Sequence, residues 1–195
     1  FVFLFSFHIP IVAMAILPLI LGEPLVFFPI NVVFLELFCD PASVIGFERD
    51  KARKGLMTEK PRPIHEPLIN PKLFKKIIIQ GLAITAVSSS FYCYFALYLH
   101  DIDMARTFTF VSLTITQVTL IMVTREWDQI KHNFLLMSIW ILTILALTLI
   151  MLVPQFRDIF HLVKINKNQF LSLITISISA MILTGLATRT KKYDR

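Results

Sequence analysis

The chain has 195 residues, of which 56% are hydrophobic and only 16% charged, and its mean hydropathy is +0.72. A soluble domain carries about a quarter charged residues, so this composition excludes an ordinary water-soluble fold and points to the bilayer as solvent. Cys39 and Cys93 are the only cysteines and stand far apart, which excludes a disulfide framework and a CxxC zinc site.

Apolar runs of about 20 residues, the length that crosses a bilayer as helix, recur six times. They cover 1–21, 25–47, 74–99, 106–124, 134–153 and 169–188. The expected fold is all-α, a polytopic transmembrane helix bundle of six spans. The first run starts at Phe1 without a Met, a basic leader or a small-residue cleavage site. A signal peptide is therefore not expected, and the chain reads as a piece of something longer.

Within that first run, SFHIP groups Ser6, His8 and Pro10, and His8 is the one histidine inside a predicted span. Pro10 has no N–H to offer the Ser6 carbonyl, which marks an irregularity in the helix. Only Gly22, Glu23 and Pro24 separate the first run from the second, so the two must be antiparallel neighbours. His8 lies about 14 residues before that turn and Glu36 about 12 after it, which brings them to similar depth.

The second run holds NVVFLELFCDP, residues 31–41, with Glu36 and Asp40 set in an otherwise lipid-soluble stretch. Glu36 is central in the run, about 16 Å from either end at the rise of an α-helix. An acid at that depth costs about 3 kcal/mol on insertion scales. The i, i+4 spacing puts both carboxylates on one face, where they can hold the same ion. Pro41 then breaks the helix and releases carbonyls that need a partner at membrane depth. Carboxylates beside free carbonyls make an all-oxygen site suited to a hard cation such as Ca²⁺, Mg²⁺ or Mn²⁺. His8 reads equally as a helix-to-helix hydrogen bond or as a ligand. On residue type alone, Cys39, Ser43 and Asn31 read as packing or interhelical contacts.

The loop at 48–76 is strongly basic, with nine of the 19 Lys and Arg, and Pro61-Arg62-Pro63 gives it a stiff, extended stretch. Two more lie in 125–133 and four after Thr188, so alternate loops carry fifteen and the remaining loops four. Positive charge near span ends stays cytoplasmic, which puts both chain termini and the 48–76 loop on that side. The basic surplus is a topological signal, and nucleic acid is not an expected partner.

Further along, Ser88, Ser89 and Ser90 read as packing, and the threonines of 107–124 as hydroxyls bonded to their own helix. Gln117 is the long polar side chain deep in the fourth span and could complete a coordination shell. Tyr92, Tyr94, Tyr98, Trp127 and Trp140 are expected in an aromatic belt near span ends.

Two stretches carry a resemblance. HIPIVAMAILPLILGEPLVFFPINVVFLELFCDPASVIGFE and GLMTEKPRPIHEPLINPKLFKK resemble the C-terminal membrane half of P-type cation-transporting ATPases of the calcium-pump type. They are most similar to bacterial members with LE…DP in the sixth membrane helix. The resemblance is specific from His8 to about Lys76 and rests on hydropathy and loop lengths beyond.

It implies that the six spans are the fifth to tenth helices of an ATP-driven exporter working through a phospho-aspartate. It further implies that residues 1–47 form an ion-binding helix pair and 48–76 a cytoplasmic loop meeting the phosphorylation domain. Four further helices over 74–188 and a cytoplasmic tail at 189–195 complete the membrane domain. By position, Glu36, Cys39 and Asp40 match the polar sites of the sixth helix. His8 falls where calcium pumps have Asn, Ile11 where they have a ligand Glu, and Gln117 near an eighth-helix Glu. The metal set is then Glu36, Asp40, His8, Cys39 and Gln117, and the transported cation Ca²⁺ or Mn²⁺, with imidazole tilting the choice toward Mn²⁺.

Implied partners are the lipid bilayer, the remaining N-terminal membrane helices, and the phosphorylation, nucleotide-binding and actuator domains, in the plasma membrane. No D-K-T-G sequence and no phosphate-cradling loop is present, so no ATPase activity is expected of this chain alone. Mg²⁺ and ATP belong to the complete pump. Two other readings remain open: a secondary cation/proton transporter using Glu36, Asp40 and His8 as a proton relay, and a non-transporting membrane subunit whose acids pair internally.

Overall fold

The computed structural model describes residues 2–39, 45, 70–123 and 133–188, with backbone alone at 37–39. Asp40, Pro41, Ser43, Trp127, most of the basic loop and the 189–195 tail lie outside the described residues, as does the Cys39 side chain. The described residues form seven α-helices, two of them continued by π-helical turns, and contain no strand.

Helix α1 (Val2–Leu21) runs unbroken through Pro10 and Pro18. It stops where the sequence supplies Gly22, whose φ of +71° is the left-handed conformation that glycine adopts without strain. The Glu23 N–H then reaches back to the Pro18 carbonyl at 2.9 Å and closes the helix end. Helix α2 (Pro29–Val33) begins later than the apolar run suggests. Pro29 fixes its first turn, and the Asn31 carboxamide accepts the Phe28 N–H at 2.8 Å. It continues as the π-helical stretch Phe34–Cys39.

Helix α3 (Pro71–Cys93) starts with Asn70 accepting the Leu73 N–H at 2.8 Å, and it ends in a second π-helical stretch, Tyr94–Tyr98. Helix α4 (Ile102–Val123) is capped by Asp101, which accepts the Met104 N–H at 2.9 Å. Helix α5 (Phe134–Leu152) is followed by the short α6 (Pro154–Ile159), opened by Pro154, and then by α7 (Lys167–Ala187). The sequence reading has 154–168 as a plain loop. That segment holds this short helix instead, and beyond it Phe160 and Val163 tie the segment to Asn31 of α2 and to Phe110 and Thr107 of α4.

Among the described residues, five helices are long and apolar enough to cross a membrane: α1, α3 with its π extension, α4, α5 and α7. The expected second span is described continuously only as far as Cys39, with Ile45 alone beyond it. Cross-contacts fix the directions of the helices. Ser6 meets Gln80, and the Tyr92 hydroxyl donates to the Pro24 carbonyl at 2.8 Å, so α1 and α3 run parallel. The Ser88–Ser112 contact and the Phe95–Phe108 ring pair make α3 and α4 antiparallel. The turn at 22–28, the 99–101 turn and the 153–166 segment therefore share one end of the bundle.

Helix α4 is the hub. Of its apolar window 83% is buried, against 22–33% in the other four candidate spans. Thr107, Thr114, Thr116 and Thr119 bond their own helix as the sequence suggests, to the carbonyls of Asp103, Phe110, Ser112 and Ile115, all within 2.9 Å, whereas the buried Thr109 hydroxyl has no partner among the described residues. Around it the outer surface is apolar, with Leu19, Ile20, Leu145, Leu152, Leu171 and Leu183 turned outward. Such a coat suits lipid, where backbone polar groups are already satisfied within the helices. Trp140 departs from the belt expectation, because its indole N–H is buried without a partner beside α4 and α7.

Candidate functional site

The site begins with two local features. Helix α1 carries His8 one turn after Leu4, and the ring Nδ1 lies 2.8 Å from the Leu4 carbonyl. A carbonyl can only accept, so Nδ1 carries a proton and Nε2 is left to face away from the helix backbone. The edge of the ring meets Phe7, with centroids 5.8 Å apart. Opposite it, the π-helical stretch Phe34–Cys39 holds Glu36. A π turn bonds i to i+5, widens the backbone and is frequent at functional sites.

The two meet between α1 and this π-helical stretch: His8 Nε2 lies 3.4 Å from Glu36 Oε2. Both side chains keep partial exposure, 41% and 31%. The similar depth inferred from counting residues to the Gly22 turn thus corresponds to a direct contact. Its chemistry is restrictive. With Nδ1 protonated, a bare Nε2 lone pair facing a carboxylate oxygen is repulsive. The pair is satisfied by a proton on one of the two atoms or by a cation between them.

Gln117 lies in α4 and is fully buried, and neither its amide nitrogen nor its oxygen has a hydrogen-bond partner. Buried polar groups in native structures are nearly always paired, so this one is poised for a partner. The Phe34 and Phe110 rings, 5.7 Å apart, mark where α2 meets α4. Seven residues on from Phe110, Gln117 sits on the same α4 face, about 10 Å further along the axis. No hydrogen bond joins it to His8 or Glu36. Among the described residues no three His, Cys, Asp or Glu side chains converge, and Asp40 and the Cys39 side chain lie outside that description.

Asn31, read from sequence as an interhelical contact, is one: it is buried and donates to the Phe160 carbonyl at 3.0 Å. Two groups escaped the sequence reading. One is Arg106, whose Nε donates to the Leu25 carbonyl at 2.9 Å and whose guanidinium sits 4.9 Å from the Phe28 ring centroid. With Tyr92 it holds the start of the second span in an extended form. The other is Gln80, fully buried on α3, with Ser6 on one side and Thr188 on the other. A glutamine inside an apolar run, in IIIQGLA, was the available signal.

Residues 24–190 match the family described as "Cation transporting ATPase, C-terminus". The chain belongs to that family. It is a C-terminal membrane domain of a P-type cation-transporting ATPase and an integral membrane protein. The match takes in Glu36 and Gln117, while His8 lies outside it, before residue 24. The chain is also 25% identical over 181 residues to the calcium-transporting ATPase of Bacillus subtilis (strain 168), covering 89% of this chain. It spans 20% of that relative's length.

Proposed function

We propose that this ATPase membrane domain binds and translocates the cation of an ATP-driven pump. The cation is divalent, Ca²⁺ or Mn²⁺, and Glu36 and Asp40 are its principal ligands. His8, Cys39 and Gln117 complete the set together with carbonyls freed around Pro41. Both termini and the 48–76 loop face the cytoplasm, the loop meets the phosphorylation domain, and the membrane is the plasma membrane. ATP and Mg²⁺ act in the complete pump, on domains outside this chain.

The observation that carries this reading is the His8–Glu36 contact at 3.4 Å, made between two spans at a widened backbone turn. An imidazole nitrogen and a carboxylate oxygen converge there on a point that needs positive charge. The nitrogen favours Mn²⁺ over Ca²⁺, because imidazole suits transition metals.

Equilibrium binding of Mn²⁺ and Ca²⁺ to the full chain in lipid nanodiscs tests it. Glu36→Gln and Asp40→Asn are each expected to weaken binding by at least roughly 100-fold, as loss of a charged ligand implies. Wild-type affinity in both variants would remove these acids from the ligand set.

The same contact favours a second reading, in which His8 and Glu36 pass a proton and no metal binds. The two readings separate on one measurement. Metal binding that weakens on acidification, with proton release as metal enters, supports the pump site. Proton movement without metal binding supports the relay.

A further inference from the structure

The helix that carries His8 is seated on α3 by the residues immediately flanking it. Ser6, two positions before His8, is fully buried; its hydroxyl lies 3.3 Å from the Ile77 carbonyl and 3.4 Å from Gln80 Oε1. Ile9, one position after His8, packs on Gly81. A Cβ built at Gly81 would stand 2.6 Å from Ile9 Cδ1 and 2.9 Å from Ile9 Cβ. The second of these atoms is fixed by the backbone, so the helices could not stay this close with any side chain at position 81.

Chemistry sets which way the Gln80 amide faces. The Thr188 hydroxyl donates to the Thr184 carbonyl at 2.8 Å, which leaves its oxygen free only to accept. Gln80 Nε2 donates to it at 3.2 Å, so Oε1 is the atom turned to Ser6. The seat therefore joins α1, α3 and Thr188, the residue that caps α7.

We propose that Gln80 and Gly81 are positioning residues that hold the His8 turn of α1 at its distance from Glu36. The proposal rests on the cation-site reading for its affinity readout, but not for its geometry. Neither residue touches the cation. Gly81 admits Ile9, Gln80 retains Ser6, and His8 between them inherits its place.

The test is a double-mutant cycle on Mn²⁺ affinity in the full chain in nanodiscs. Gly81→Ala is expected to weaken binding roughly tenfold and Gln80→Leu roughly threefold, the latter matching one long hydrogen bond. Both effects should vanish in a His8→Ala background, where no ring remains to be displaced. Ile9→Ala should restore most of the affinity lost in Gly81→Ala. Equal losses with and without His8, or no loss at all, would overturn the proposal and leave the cation reading standing. If the wild type binds no metal, the ¹⁵N signals of the His8 ring decide the matter. Signals displaced in Gly81→Ala support the seat, and unmoved signals overturn it. Should Gly81→Ala fail to fold, Gln80→Leu is read the same way, since Ser6 keeps the Ile77 carbonyl as acceptor.

Discussion

Two stretches of this membrane domain adopt the same unusual backbone and differ in everything attached to it. Phe34–Cys39 and Tyr94–Tyr98 are both π-helical. The second ends α3 at the edge of the bundle. Its backbone closes on itself, the Leu99 N–H on the Tyr94 carbonyl at 3.2 Å and the Asp101 N–H on Phe95 at 2.9 Å. Tyr94 and Tyr98 stack with centroids 5.7 Å apart and stand 52% and 75% exposed, as aromatic residues do at a membrane interface. The first stretch puts a carboxylate within 3.4 Å of an imidazole on a neighbouring span. A widened turn is therefore no site by itself. In Tyr94–Tyr98 it finishes a helix. In Phe34–Cys39 it presents an acid to a partner that demands a positive charge between them.

The largest effect that sharpens this contrast, beyond loss of the acids themselves, is expected at His8. His8→Ala should weaken Mn²⁺ binding roughly tenfold, about 1.4 kcal/mol, and leave Ca²⁺ binding nearly unchanged. Parallel titrations with the two metals measure it. Equal losses for both would make His8 a positioning group; no loss for either would make it a packing residue and bring the two π stretches closer in kind.

Gln117 offers a smaller effect with two signs. As a ligand it contributes affinity, yet as an unpartnered buried amide it costs stability when no cation is bound. Gln117→Leu should therefore weaken metal binding a few-fold while raising metal-free stability by about 1–3 kcal/mol. Thermal unfolding in the presence of chelator reads the second quantity. A variant that gains stability and keeps its affinity would show that the amide is structural surplus.

How much of this was legible beforehand depends on where each residue's partners lie in the chain. The first and fifth spans, expected at 1–21 and 134–153, form as Val2–Leu21 and Phe134–Leu152, because Gly22 and Pro154 punctuate them locally. The similar depth of His8 and Glu36 followed from counting residues to a short turn, though their direct contact did not. Nor did the start of α2. Residues 25–28 are apolar enough for a span, but Pro29 holds Phe28 extended and contacts from afar hold the residues before it. Tyr92 takes the Pro24 carbonyl from 68 residues away and Arg106 the Leu25 carbonyl from 81. The burial of Gln80 was hidden for the same reason, since Ser6 and Thr188 are 74 and 108 residues distant. Trp140 was misassigned because a single tryptophan in an apolar run carries no sign of whether it faces lipid or helix.

The smallest expected effect tests the comparison from its other side. Tyr98→Ala removes a stacked, three-quarters exposed ring from the second π stretch and touches nothing near His8 or Glu36. Mn²⁺ affinity should be unchanged, and any loss of stability should stay within about 0.5–1.5 kcal/mol, the worth of one aromatic pair. The result has force because α3 also carries Gln80 and Gly81, in its N-terminal half. If Tyr98→Ala did weaken metal binding, displacement would be travelling the length of α3 to α1. The two π stretches would then be parts of one device, one at the interface and one at the acid. If it does not, the wide turn at Tyr94–Tyr98 is a helix end, and the distinguishing property of Phe34–Cys39 is the carboxylate it holds opposite His8.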